Sequence, residues 1–482
     1  MTSYEPVIGL EVHAELETES KMFCSCAVVD STSAAPNMHV CPVCLGMPGV
    51  LPVVNRKAVD FGLMVGLALH CEIPQFNQFA RKSYFYPDLP KGYQISQYDY
   101  PLAINGWLEV DLPDGSTKRI RVRRAHLEED TGKLTHGDGH SLVDLNRAGV
   151  PLLEIVSEAD MHSAEETEAY ARKLRAILQY LGVNSGDMSK GVLRFEANIS
   201  VRPVGSSEFW TRTEVKNLNS IRSLTRATAY EIERQTQVWE AGSAVQQATM
   251  GWDDVRQQTV VQRVKESAED YRYFPEPDLP VIEISREWVA AIQLPELPDA
   301  KRDRFMSQLG LSRYDASILV AEQAVAQYFE EAVAAGGEPK QIANYISGDL
   351  FRHMNNAGVQ REDVGQILVT PKALADLIAL VQKGMINHSV AKKLLETLYA
   401  QGGDPAKLVE EQGLAQVSDE SVLREVVRQV LDEKPDEVVR YLAGEEKLIK
   451  FLMGLVMRAM KGKGEAQAVQ RLLVEELEAR RA

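Results

Sequence analysis

From Leu294 to Pro298 the chain reads LPELP, and the two sides of this proline-rich break follow different periodicities. Before it, apolar residues alternate with polar ones in short runs separated by Gly and Pro turns. Beyond it, Gly and strand signals thin out and the apolar spacing becomes helical. The first region still contains clear helices. One is predicted to open at Ser163, which forms a capping-box pattern with Glu166, to run through Tyr170, Leu174, Ile177, Leu178 and Leu181, and to stop at Gly182. Strands and helices mixed without regular βαβ alternation predict an α+β fold. A second break at Gly402, Gly403 and Pro405 divides the helical part. At 482 residues the chain exceeds what one core usually organises, so three domains are expected: a mixed-sheet domain over 1–293, a helical middle domain over 294–405 and a helical tail domain over 406–482.

The formal net charge of -16 argues against indiscriminate binding to polyanions, because such affinity comes from neutralising phosphates. Any nucleic-acid contact must therefore be local. Residues 447–471 hold six Lys or Arg and one Glu, a local +5, and are the place to look. The start MTSYEPVIGL lacks the basic and apolar segments of a signal peptide, and the longest apolar run, Phe61 to Leu69, is too short to cross a bilayer. A cytoplasmic protein without membrane contact is the expectation.

In VIGLEVHAEL, residues 7–16, Ile8, Leu10, Val12, Ala14 and Leu16 alternate with Gly9, Glu11, His13 and Glu15, which predicts a half-buried strand. Glu11 and His13 then share a face, where they could hold a divalent cation or simply be solvated. LRFEANISVRP repeats the pattern with Arg194, Glu196 and Asn198 on the polar face. HLEEDTGK places Glu128, Glu129 and Asp130 in succession, and like charges so close require solvent, cations or metal. RTEVKNLNS adds Glu214 and Lys216. Between Ala80 and Asp99, Arg81, Lys82 and Lys91 interleave with Tyr84, Phe85, Tyr86, Tyr93 and Tyr98, a composition suited to phosphate contact and base stacking, or equally to a packed Pro-bent loop.

Cys24-x-Cys26 and, after fourteen intervening residues, Cys41-Pro-Val-Cys44 supply four thiolates, enough to close a tetrahedral Zn²⁺ site with no open position. Such a zinc would be structural. No G-x-x-x-x-G-K-[ST] loop occurs, so any ATP must be held by metals and basic side chains on strands.

The segments VIGLEVHAEL, RKSYFYPDLPKGYQISQYD, LVDLNRAGVPLLEIVSEAD, RTEVKNLNS, DYRYFPEPDLP and GLVMRAMKGKG together resemble the B subunits of the glutamyl/aspartyl-tRNA amidotransferases over nearly the full chain. The resemblance implies a first domain like the catalytic fold of glutamine synthetase, and ATP-dependent phosphorylation of the side-chain carboxylate of Glu or Asp esterified to tRNA. Amidation would follow, with ammonia from a glutaminase partner, the A subunit, the pair being held together by a small third partner, the C subunit. It implies Mg²⁺ at Glu11, His13, Glu129 and Glu196, with Lys82 and Tyr84 near the reacting groups and Glu154, Glu214 and Lys216 lining the site. Glu196 departs from the family's usual Asp, and Ala159 from its usual Pro. The tail is implied to bind tRNA, with Lys447, Lys450, Arg458, Lys461 and Lys463 outward and Leu448, Phe451, Leu452 and Leu455 packed inward. Two other readings stay open: a chain that only presents tRNA to a catalytic partner, and a zinc amidohydrolase, which would need an open metal position.

Overall fold

The computed structural model describes residues 3–264, 271–415, 420–460 and 464–481. It divides into two compact units, Met1–Pro298 and Asp299–Ala482. An eight-stranded sheet organises the first unit. Its strands, in chain order, are β1 (Tyr4–Glu15), β2 (Ala103–Asp111), β3 (Thr117–Glu129), β4 (Pro151–Ser157), β5 (Leu193–Pro203), β6 (Thr213–Leu218), β7 (Ala248–Asp253) and β8 (Gln258–Val264). Their spatial order is β8-β7-β6-β5-β1-β4-β3-β2. Every pairing is antiparallel except β6 with β7, which are parallel.

The alternation expected in β1 is present: Ile8, Leu10, Val12 and Ala14 are buried, while Gly9, Glu11, His13 and Glu15 take the opposite face. Three helices supply the matching apolar surface, namely α1 (Arg56–Ala68), α2 (Ala164–Tyr180) and α3 (Ile221–Glu240). Phe61, Leu63 and Val65 of α1, Tyr170, Leu174 and Ile177 of α2, and Leu224 and Ala227 of α3 join the inward residues of the strands in one core. Because the helices cover one face of the sheet, the polar side chains are collected on the other.

Ser163 caps α2 as expected, accepting from the Glu166 amide at 3.1 Å, and Gly182 follows the helix with φ +65°. The reciprocal half of the box differs: the Glu166 carboxylate takes the amide of His162 at 2.6 Å and the ammonium of Lys118 at 2.7 Å. A separate three-stranded sheet, with Ala80–Ser83 between Tyr93–Ser96 and Phe274–Pro275, packs against β3.

In the second unit every regular element among the described residues is helical. The helix Pro405–Glu411, capped by Asp404, packs on Pro371–Gln382 and His388–Gln401. Gly402 and Gly403, at φ +68° and +113°, fold the chain back onto those helices, so the packing does not change at residue 406 as expected. A separate core forms later, where Leu423, Val427, Leu431, Leu452, Val456, Leu472 and Leu473 come together from Glu420–Glu433, Leu448–Ala459 and Ala466–Ala479. Among the described residues no helix is long and apolar enough to cross a membrane.

Glu231 of α3 fastens that helix to the sheet. Its buried carboxylate accepts from Thr213 Oγ1 at 2.8 Å, from Arg234 at 2.8 Å, from Gln235 at 3.1 Å and from Thr259. Burial works against its charge, but the bonds from Arg234 and Thr259 outweigh it and hold the carboxyl below its ordinary value. Glu231→Ala is expected to cost about 3 kcal/mol at neutral pH, because it strands several donors. A depressed carboxylate stabilises fully above the ordinary glutamate pKa of about 4.3 and loses its contribution as pH falls. Urea denaturation at pH 7 and pH 4 should therefore show a gap between native and variant that narrows on acidification.

Candidate active site

The antiparallel register sets His13 of β1 directly opposite Glu154 of β4, and Glu154 directly opposite His126 of β3. An imidazole, a carboxylate and a second imidazole thus lie in one row across three strands, on the face the helices leave open. His13 Nε2 is 3.3 Å from Glu154, and His126 Nε2 is 3.7 Å from the same carboxylate. One step along the strands, Glu11 lies 3.7 Å and Glu128 3.8 Å from His13 Nε2. Two overlapping groups, Glu11 with His13 and Glu154, and His126 with Glu128 and Glu154, each bring their ligand atoms within 4.8 Å of one another. Either group could hold a metal ion.

Charge in this row is poorly solvated. Burial, and then the charge of Glu154, push Glu11 up to about 7. Burial opposes protonation of His13, yet the hydrogen bond and charge of Glu154 win and push it up to about 9. Glu154 itself is held well below the carboxylate range: burial resists, and His126, His13 and Lys82 prevail. Such a set could take up a divalent cation in exchange for protons, because hard oxygen and imidazole ligands suit one.

Basic groups frame the row. Lys82, from the three-stranded sheet, lines the same cleft, and the charges of Glu128 and Glu154 raise its ammonium against the effect of burial. Tyr84 lines the cleft too. Lys216 bridges Glu196 at 2.8 Å and Glu214 at 3.2 Å, so these three expected site residues do come together, beside Glu11. At the other end Arg194 joins Asp130 at 2.9 Å and Glu15 at 3.3 Å.

One expected ligand is not in the row. Glu129 is one residue out of phase: Ala125 and Leu127 of β3 face the core, and Glu129 continues their side of the strand. There its carboxylate accepts from Lys91 at 2.5 Å and from the Ile95 amide at 2.9 Å. Its neighbour Glu128 occupies the cleft instead. Glu196, whose carboxylate is taken up by Lys216, belongs to neither group of candidate ligands. Sequence reasoning singles out Glu128 only as one of three successive carboxylates and leaves His126 aside, although the apolar Ala125 and Leu127 beside them mark which parity faces the helices.

Cys24, Cys26, Cys41 and Cys44 converge within 4.8 Å. Cys44 Sγ is 3.9 Å from Cys41 and 4.0 Å from Cys26, close to the ~3.8 Å between sulfurs in a tetrahedral site with Zn–S near 2.3 Å. The Cys41 amide donates to Cys44 Sγ at 3.0 Å. These four could hold a metal ion. Cys71 is buried in the core.

In the tail, Lys447, Lys450 and Arg458 are exposed, while Lys461 and Lys463 lie outside the described residues. The inward stripe is rotated from the expected one. Leu452 and Val456 are buried, Leu448 and Leu455 are half-buried, and Phe451 is 48% exposed among the basic residues.

A family model described as the GatB/GatE catalytic domain matches residues 6–290, and one described as the GatB domain matches residues 327–477. A Moorella thermoacetica protein, named as the B subunit of an aspartyl/glutamyl-tRNA(Asn/Gln) amidotransferase, is 51% identical, over 98% of this chain and 100% of its own length. Proteins of the same name from Herpetosiphon aurantiacus and Thermodesulfovibrio yellowstonii are 51% and 50% identical, over 99% and 98% of both chains. With half of its residues shared along almost its whole length, the chain belongs to the family of aspartyl/glutamyl-tRNA(Asn/Gln) amidotransferase B subunits.

Proposed function

We propose that the chain activates and amidates the amino acid of Glu-tRNA(Gln) or Asp-tRNA(Asn), working in the cytoplasm with a glutaminase partner and a small third partner. The observation that carries this reading is the row His13–Glu154–His126, flanked by Glu11, Glu128 and Lys82 in a single cleft. In the first step a side-chain carboxylate oxygen of the esterified amino acid attacks the γ-phosphorus of ATP, forming an acyl phosphate and releasing ADP. Ammonia from the glutaminase then attacks the acyl carbon and expels inorganic phosphate, leaving the amide.

Glu11, His13, Glu128 and Glu154 are the residues that would hold Mg²⁺, which would supply positive charge to offset that of the phosphate oxygens. Lys82 supplies a fixed positive charge in the same cleft, where the developing phosphate charge needs it. Tyr84 lines the approach, and Glu196 and Glu214 hold Lys216 toward the far side. The four cysteines would carry a structural Zn²⁺, since four thiolates leave no place for water. The tail would grip the tRNA body through Lys447, Lys450 and Arg458, with Lys461 and Lys463 nearby in sequence.

The decisive assay combines the chain with its two partners, charged tRNA, glutamine, ATP and Mg²⁺, and measures amide formation. Glu11→Gln and His13→Ala should each lower tRNA-dependent phosphoryl transfer on the order of 10²-fold or more while tRNA binding persists. Near-normal turnover in Glu11→Gln at saturating Mg²⁺ would remove the assignment.

Metal analysis should find one tightly held zinc per chain, and Cys41→Ser should lose it, with more effect on protease sensitivity near residues 24–44 than on the chemical step. Full zinc content in that variant would count against a cysteine site.

Replacing Lys447, Lys450 and Arg458 by Ala should weaken tRNA binding and flatten its log–log salt dependence by about one unit per phosphate contact removed. An unchanged slope across a salt series would place the grip elsewhere.

A further inference from the structure

Five tyrosine rings follow one another past the cleft. Tyr86 stacks on Tyr84 at 5.8 Å, Tyr84 meets Tyr271 edge-on at 6.2 Å, Tyr271 meets Tyr273 at 6.2 Å, and Tyr273 stacks on Tyr98 at 4.1 Å with 12° between planes. The middle of this ridge, Tyr84 and Tyr271, lines the cleft beside Glu11 and His13. Both ends open to solvent, with Tyr86 44% and Tyr98 45% exposed. Two sequence regions nearly two hundred residues apart build it, so neither segment alone reveals it.

Cations accompany the rings. Lys82 Nζ sits 4.9 Å from the Tyr271 ring, and the Arg124 guanidinium 5.8 Å from Tyr98. Phe85, 77% exposed, lies beside the ridge under Arg272 at 5.5 Å. Arg272 holds φ +44°, a costly backbone conformation for a residue other than glycine, of the kind that accumulates at ligand clamps.

We propose that this ridge is a stacking track for the unpaired 3′ end of the charged tRNA, delivering the esterified amino acid to the cleft. The inference rests on the reading above that charged tRNA is the substrate. Three features favour a strand of nucleotides over a single base such as the adenine of ATP. One base needs one or two rings, whereas this succession has five with cations along it, the arrangement that binds single strands without base selection. The cleft, at about 290 Å³, is at the lower limit for one small ligand, so nucleotides beyond the reacting group must lie outside it. The exposed Phe85 and the two arginines extend the surface outward, where phosphates of a strand would pass.

The test uses the assembled amidotransferase with Tyr98→Ala, Phe85→Ala and the ring-preserving Tyr98→Phe. Each alanine variant should raise KM for charged tRNA about tenfold, leaving kcat and KM for ATP unchanged, and Tyr98→Phe should behave as native. As a direct readout, uncharged tRNA should compete better than the same tRNA trimmed of its unpaired 3′ nucleotides in the native complex, and equally well in Tyr98→Ala. The proposal is overturned if KM for tRNA is unchanged in both alanine variants. A rise in KM for ATP alone would also overturn it, since the ridge would then hold adenine. So would failure of the complex to assemble, which would make the ridge a protein contact. If the native complex forms no amide at all, the proposed function fails, and not merely the track.

Discussion

Everything in the cleft depends on the pairing of β1 with its two neighbours. Because side chains alternate along a strand, the hydrogen-bond register that aligns His13 with Glu154 and Glu11 with Glu196 also decides which residues meet the helices. Ile8, Leu10, Val12 and Ala14 are fully buried against them, and moving β1 by one residue would put these in water and Glu11 and His13 in the core. The apolar core therefore enforces the geometry of the polar face. The cost of crowding carboxylates and imidazoles there is met by packing on the reverse side of the same strand.

That cost is visible in how the charges are disposed. Glu11 and Glu15 are driven up to about 7 and 8, whereas Glu154 and Asp130 are driven down, so neighbouring carboxylates in one face stand in opposite protonation tendencies. Those held ionised face several cations at once, Glu154 meeting His13, His126 and Lys82 and Asp130 meeting Arg194 and Arg147, whereas burial prevails at Glu11 and Glu15. Pairs of groups pushed apart in this way mark sites built for charge handling rather than for stability.

The α+β division at LPELP, the alternation in β1 and β5, and the cap at Ser163 are legible in the sequence because each rests on local periodicity or a short-range hydrogen bond. The sheet order is not, since the row across β1, β4 and β3 joins residues more than a hundred positions apart, and the parallel pairing of β6 with β7 leaves no local trace. The choice between Glu128 and Glu129 is within reach, as Ala125 and Leu127 fix the parity of that strand. The family pattern points to Glu129, whose carboxylate lies with Lys91 and the Ile95 amide, while Glu128 lines the cleft. Phe451 shows the converse: apolar spacing alone assigns it inward, but Leu452 and Val456 fill the available core and leave it outside.

Between β3 and β4 the chain makes the hairpin of Lys133–Gly137 and His140–Asp144, whose two strands pair only with each other. This hairpin separates two parts of the chain with opposite tolerance for change in length. A residue inserted within His126–Glu129 would exchange Glu128 for Glu129 and carry an ion pair into the cleft and a cleft carboxylate into the core. The same insertion at the exposed tip around Gly139 would alter no pairing in the large sheet. Over evolutionary time, insertions and deletions should accumulate at the hairpin, while the strand a few residues upstream keeps a fixed count.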